Sequence, residues 1–241
     1  MSNILEIGSA TLINDDYRNV LHKYEDNQFD WLLADPPYFD GPNKLGYYRN
    51  GGKPSSSGVI TNVYESIDSW EVPGWDYYNE VCRISRNQII WGINYFVFAG
   101  EHSGRIVWDK VNGDSSFSDC ELAMISTIDS TRLIRYMWNG MMQGKSLAEG
   151  HIMQGDKKKN EKRIHSTQKP VLLYKWLLKN FVEPGASILD THSGSLSLGI
   201  ACHDMGHPLT AIEKDTKMFN KAIKRLKWHV KHQVIPFDYE E

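Results

Sequence analysis

From Pro170 onward the chain alternates helix and strand at a density that leaves few architectures open. Pro170–Val182 is apolar at helical spacing and opens on a proline suited to a first helical turn. Ser187–Asp190 reads as a short buried strand, Leu196–Met205 as a helix stopped by Gly206, and Leu209–Glu213 as a second strand. Thr216–Lys231 is a final helix: Met218, Phe219, Ala222, Ile223, Leu226 and Val230 share a stripe that Lys217, Lys221, Lys224 and Lys231 avoid. Such alternation builds a parallel sheet with helices on both faces, an α/β fold of Rossmann-like type. Upstream, Phe29–Ala34, Gln88–Gly92, Arg105–Trp108, Glu121–Ile128 and Leu133–Trp138 read as strands and Trp75–Ile84 as a helix.

Composition narrows the class further. With 241 residues, 41% of them hydrophobic, the chain is long and apolar enough for one domain with a substantial core, which excludes a disordered or fibrous protein. No run approaches the roughly 18 apolar residues of a membrane span, and the start MSNILEIGSA lacks the pattern of a secretory signal. Cys82, Cys120 and Cys202 are odd in number and without C-x-x-C spacing, as expected of a reducing compartment, and the cytoplasm is the expected location. His203 and His207 are separated by a helix-ending Gly206 and have no third ligand nearby, so no metal site is expected. The net charge of −3 divides unevenly, −8 over residues 1–150 and +5 over 151–241. That asymmetry is compatible with a basic face for a polyanion and equally with a solvated helical surface.

Two irregular regions interrupt the pattern. Residues 39–75 carry six Gly, three Pro and five Ser, with Tyr47, Tyr48 and Tyr64 among them, the texture of a lid or binding loop. Residues 139–166 carry Gly140, Gly144, Gly150 and Gly155 and the basic run Lys157–Arg163.

The segment SILDTHSGSLSLGIACHDMGHPLTAIEKD has the layout of a nucleoside-binding unit: a strand ending in Asp190, a turn with Gly194, a helix, and a strand ending in Glu213. Both acids lie at carboxyl ends of strands, where open α/β sheets bind ligands. A dinucleotide site wants G-x-G-x-x-G, but Leu196 stands where the middle glycine would let a pyrophosphate approach, and no G-K-[ST] is present. S-adenosyl-L-methionine has a ribose and no phosphate, and fits this turn better than NAD.

Directly after the Phe29–Ala34 strand stands Asp35-Pro36-Pro37-Tyr38. Two prolines fix two φ angles and remove two N–H donors, leaving carbonyl oxygens as the turn's backbone polar groups. Asp35 adds a carboxylate and Tyr38 a flat face. An acceptor-only pocket beside a ring suits a planar substrate bearing an –NH₂: the Asp35 carboxylate and the Pro36 carbonyl can take its two hydrogens, turning the nitrogen lone pair out of the ring plane.

These residues, with His165-Ser166-Thr167-Gln168-Lys169-Pro170 and the Asp-Thr-His-Ser-Gly-Ser turn, resemble the amino-methylating DNA methyltransferases, specifically the adenine-N6 enzymes of the β arrangement. The likeness spans about residues 29–225, and its order is distinctive. Ser166 stands in place of the usual proline and Leu196 in place of a common glycine. The resemblance implies a seven-stranded, circularly permuted methyltransferase sheet in one domain: a catalytic half over 1–138, a target-recognition region over 139–164, and a cofactor-binding half over 165–241. It implies S-adenosyl-L-methionine as cofactor, with Thr167, Lys169, Asp190, His192, Gly194 and Ser195 around the methionine part and Glu213 on the ribose hydroxyls. Asp35, Pro36, Pro37 and Tyr38 would hold a flipped adenine, and Lys157, Lys158, Lys159, Lys162 and Arg163 would meet phosphates of double-stranded DNA. A homodimer and a cognate restriction nuclease are the further partners the family allows. Cytosine N4, an RNA adenine, or a catalytically inactive nucleic-acid-binding relative stay as alternatives.

Overall fold

A computed structural model describes residues 3–38, 71–113, 118–139, 142–165 and 167–232. The strands are β1 (Asn3–Ile7), β2 (Ala10–Asn14), β3 (Phe29–Ala34), β4 (Ser85–Trp91), β5 (Arg105–Asp109), β6 (Cys120–Ile125), β7 (Thr131–Arg135), β8 (Trp138–Asn139), β9 (Met142–Gln143), β10 (Ile188–Asp190) and β11 (Leu209–Glu213). The helices are α1 (Trp75–Ile84), α2 (Val171–Phe181), α3 (Ser197–Met205) and α4 (Thr216–His232).

One sheet of nine strands runs in the order β1-β2-β11-β10-β3-β4-β6-β5-β7. β2, β11, β10, β3 and β4 are mutually parallel, and β6 lies antiparallel between β4 and β5. The seven strands from β2 to β5 in that order form the expected sheet, and β1 and β7 widen it by one strand at each edge. The β1–β2 hairpin was not legible, because Asn-Ile-Leu-Glu-Ile lacks the alternation that marks a half-buried strand. Its turn uses Gly8 at φ 59°.

Along β3 successive side chains serve opposite faces. Trp31 and Leu33 join Ile89 and Trp91 of β4 in a core with Leu173 and Leu177 of α2, Ala201 of α3 and Leu226 of α4. Leu32 and Ala34 join Ile90, the α1 residues Tyr77, Val81 and Ile84, and Phe96 and Phe98 in a second core. Helices therefore cover both faces, and β3 and the second half of β4, Gln88–Trp91, are buried on each side, which is why β3 reads as a nearly continuous apolar run.

Element boundaries moved for local reasons. The strand read over Leu133–Trp138 splits into β7 and β8, and Pro170 caps α2 rather than opening it. Leu196, read as the first residue of its helix, precedes α3 in left-handed conformation, φ 57° and ψ 35°. The loop read over 39–75 lies, for residues 39–70, outside the described residues.

Candidate active site

In chain order β3 is followed by β4 on one side of the sheet, whereas β10 is followed by β11 on the other. The boundary between β3 and β10 is thus the point where strand order reverses, and ligands of open α/β sheets bind outside the carboxyl ends of the strands at such a point. Asp35 follows β3 and Asp190 ends β10, so the two sequence motifs meet there although they are far apart in the chain.

On the β3 side the Asp35 side chain keeps 22% of its surface exposed. Its Oδ1 is inaccessible and lies 2.5 Å from Nζ of Lys169, a residue only 4% exposed. The same ammonium lies 2.9 Å from Glu121 Oε2, and Lys110 Nζ lies 2.5 Å from Glu121 Oε1. Two carboxylates and two ammoniums from four separate segments thus form a neutral, largely buried cluster. Burial pushes the Asp35 carboxyl above its ordinary range, reinforced by Glu121 and opposed by Lys169. For Glu121 burial acts in the same direction, but Lys169 and Lys110 outweigh it and hold the group down at about 2.

The Tyr38 ring stacks on Tyr95, centroids 5.3 Å apart and planes 11° from parallel, with Lys169 Nζ 5.7 Å from its centre. Gly92, at φ 72° after β4, makes room for it: a Cβ there would overlap the Tyr38 ring. Glycine at this position serves both the backbone and the aromatic wall.

On the β10 side, backbone groups predominate. Asp190 is 4% exposed and accepts from the His192 N–H at 3.1 Å. Among the described residues it has no ion pair, and burial raises its carboxyl to about 8. Glu213 spans the turn, accepting from the Gly194 N–H at 2.9 Å through Oε2 and from the Asp215 N–H at 2.8 Å through Oε1. Burial also raises the Glu213 carboxyl. Tyr77 Oη of α1 lies 2.7 Å from Thr191 Oγ1, which lies 2.9 Å from His192 Nδ1. Burial lowers the His192 imidazole to about 3, so it is neutral near pH 7. Ser195 Oγ bonds Ser197 Oγ at 3.1 Å, and the Ser195 carbonyl accepts from Arg225 at 2.7 Å.

The remaining expected positions divide. Thr167 is exposed and its hydroxyl lies 2.9 Å from His165 Nδ1. Lys157, Lys158, Lys159 and Lys162 are exposed, whereas the Arg163 guanidinium packs 4.2 Å over the Trp138 ring. Within the same run Glu161 turns inward, accepting from the Val171 N–H of α2 at 2.9 Å, from Gln168 Nε2 at 2.7 Å and from Arg225 at 2.6 Å. Sequence reading missed Glu121, Lys110, Glu161, Gly92 and Tyr95. A charge at the head of the apolar run Glu121–Ile128, and a glycine closing the strand Gln88–Gly92, were the available signals.

Residues 91–224, more than half of the chain, match the family model N6_N4_Mtase, described as DNA methylase. The chain belongs to that family. As a DNA methylase it transfers methyl groups to DNA from S-adenosyl-L-methionine. The methylase is 26% identical over 251 aligned positions to the type II methyltransferase M2.LlaDCHI of Lactococcus lactis subsp. cremoris, covering 90% of this chain and 89% of that one. It is likewise 26% identical over 248 positions to the type II methyltransferase M2.DpnII of Streptococcus pneumoniae, covering 89% and 88%. Among solved structures, the cytosine-N4-specific PvuII DNA methyltransferase shares the fold at a TM-score of 0.51 and 10% identity, over 90% of this chain and 86% of that one.

Proposed function

We propose that this methylase acts on the N6 amine of adenine in a nucleotide rotated out of the DNA duplex. The observation that carries the reading is the Asp35 carboxylate, partly exposed at the strand-order reversal of the sheet, beside the Tyr38 ring and next to the Asp190 strand end. An amine inside a duplex is out of reach, so the base must leave the stack before it is modified. Asp35 and the Pro36 carbonyl take the two hydrogens of the amine and Tyr38 supports the ring, which frees a lone pair otherwise delocalised into the purine. Catalysis is then orientation and charge placement. Asp35 also stands where the proton leaving the methylated nitrogen can be accepted.

The donor side fits S-adenosylmethionine, which when bound supplies a methyl carbon made electrophilic by a sulfonium. Asp190 is a buried carboxylate without a cation among the described residues, as a site for a cationic ligand requires. His192, Gly194 and Ser195 shape the turn beside it, and Glu213, which holds Gly194, keeps lone pairs for ribose hydroxyls. Thr167, whose hydroxyl meets His165, is assigned to this side by the resemblance alone. Lys169 acts on the amine side, through Asp35.

Residues 139–164 serve as the target-reading region between the halves 1–138 and 165–241, with the exposed Lys157, Lys158, Lys159 and Lys162 on phosphates. On this reading the enzyme works in the cytoplasm, as a homodimer and beside a cognate restriction nuclease.

Labelled methyl transfer to unmethylated DNA and to RNA, followed by nucleoside analysis, tests the proposal. N6-methyladenine in DNA is expected. N4-methylcytosine would replace the acceptor while keeping the site, and modification of RNA alone would overturn duplex DNA as the substrate.

A further inference from the structure

We infer that Glu121, backed by Lys110, is a positioning residue for methyl transfer: by sharing the Lys169 ammonium with Asp35 it keeps the Asp35 carboxylate both aimed and available to an amine. The inference rests on the reading of Asp35 as the amine acceptor. Lys169 is the most deeply buried member of the cluster, at 4% exposure, and touches both carboxylates, at 2.5 and 2.9 Å. Glu121 is in turn held by Lys110 at 2.5 Å, each 17% exposed. Glu121 lies in β6, opposite Trp108 in the β5–β6 register, so it is mounted on the sheet, and Lys110 directly follows β5 at the edge of the same register.

The charge count explains why a second carboxylate is needed. A buried ammonium paired with Asp35 alone would neutralise it and compete with the incoming amine for its lone pairs. Divided between two carboxylates, Lys169 orients Asp35 through Oδ1 and leaves it enough negative charge to accept a further hydrogen bond. Lys110 then compensates the additional charge of Glu121, so that the cluster remains neutral. None of these contacts reaches the substrate directly; Lys169 acts through the aspartate, and Glu121 also meets the Tyr38 phenol.

The groups facing Asp35 come from every element around it: Tyr38 of its own turn, Lys110 after β5, Glu121 of β6, Lys169 before α2, Tyr174 of α2 and Asp190 of β10. Glu121 and Lys110 act on Asp35 with opposite sign, the first favouring its protonated form and the second its ionised form. Asp190 and the phenols are common to all variants below.

The test measures kcat against pH at saturating donor and DNA for wild type, Glu121→Gln and Lys110→Met, with donor Kd by calorimetry and Asp35 titration by carboxyl ¹³C NMR. Glu121→Gln is expected to lower kcat about tenfold, the lower end of what outer-shell partners cost at ligating sites, with donor Kd unchanged. Its acid limb and the Asp35 titration move to lower pH, and both move to higher pH in Lys110→Met. Titrations that stay put, or move in the same direction in both variants, would overturn the inference and leave the cluster a purely structural one. If Glu121→Gln does not fold, the sign of the Lys110→Met shift decides. Failure of the underlying reading looks different: wild type would not methylate DNA, or Asp35→Ala would transfer like wild type.

Discussion

The two sides of the cleft are built from different materials. On the donor side two carboxylates, Asp190 and Glu213, hold backbone N–H groups of the turns that follow β10 and β11, at His192, Gly194 and Asp215. On the amine side the organising contacts join charged side chains of four segments, Asp35, Lys110, Glu121 and Lys169. The bonds at His192 and Asp215 close within two residues and the one at Gly194 within 19, loops that are cheap in chain entropy and that short motifs suffice to encode. A four-membered charge cluster exists only once the sheet has assembled, and removing one partner leaves another buried charge uncompensated. The donor side therefore tolerates local change, whereas the amine side transmits change at a distance.

The largest effect expected to expose this difference is Asp35→Ala, which should lower turnover by at least about 10²-fold, the scale for one preorganised polar group. Donor affinity should change far less, because no donor-side hydrogen bond passes through Asp35 and its influence on Asp190 is electrostatic only; single-turnover transfer and donor calorimetry separate the two quantities. Next is Gly92→Ala. Its Cβ meets the Tyr38 ring at a backbone conformation that disfavours side chains, so about 2–3 kcal/mol of stability should be lost, roughly 5–10 °C in Tm. Turnover should fall with it while donor binding survives, since only the amine side is displaced.

On the donor side the sharper probe is pH. Asp190 titrates near 8 in the folded chain, above its unfolded value, so the native state binds the extra proton. That contribution to stability is complete below the unfolded pKa, about 4, and is lost as pH rises through 8. The Tm of ligand-free protein should fall between pH 5.5 and 8.5, and Asp190→Asn should flatten the decline; an identical slope in the variant would remove Asp190 as its source.

Leu196 offers a smaller test. It is 1% exposed yet left-handed, and its side chain packs against Gly199. Leu196→Ala loses buried surface and keeps the strain, whereas Leu196→Gly loses the surface and relieves the strain. Chemical denaturation should find the glycine variant the more stable of the two by about 1 kcal/mol. Smallest in free energy is reversal of Lys157–Lys159, which should flatten the slope of log affinity for DNA against log salt by up to about 0.9 per lost phosphate contact. An unchanged slope would return this run to solvent.

The pattern of legibility follows the same division. Phe29–Ala34, Leu209–Glu213 and the helices after residue 170 were readable because apolar spacing and terminal Gly or Pro act within a few residues. In the run Lys157–Arg163 the sequence points to Lys157, Lys158, Lys159, Lys162 and Arg163 as phosphate contacts, but Glu161 turns into the core and ties the start of α2 to Arg225, and Arg163 lies on Trp138. Nothing local distinguishes Glu161 from its neighbours; only the buried N–H of Val171 and the guanidinium of Arg225 make its inward position favourable.

By itself, then, the sequence determined the order of motifs, the helix-covered parallel part of the sheet, and the acceptor-only turn at Asp35-Pro36-Pro37-Tyr38, since each depends on residue spacing or on proline's missing donor. Which carboxylate shares Lys169, which glycine admits the Tyr38 ring, and which strands extend the sheet at its edges were decided only in the tertiary structure. Those choices depend on distances between segments remote in the chain, where Coulomb and packing energies act and sequence spacing carries no signal.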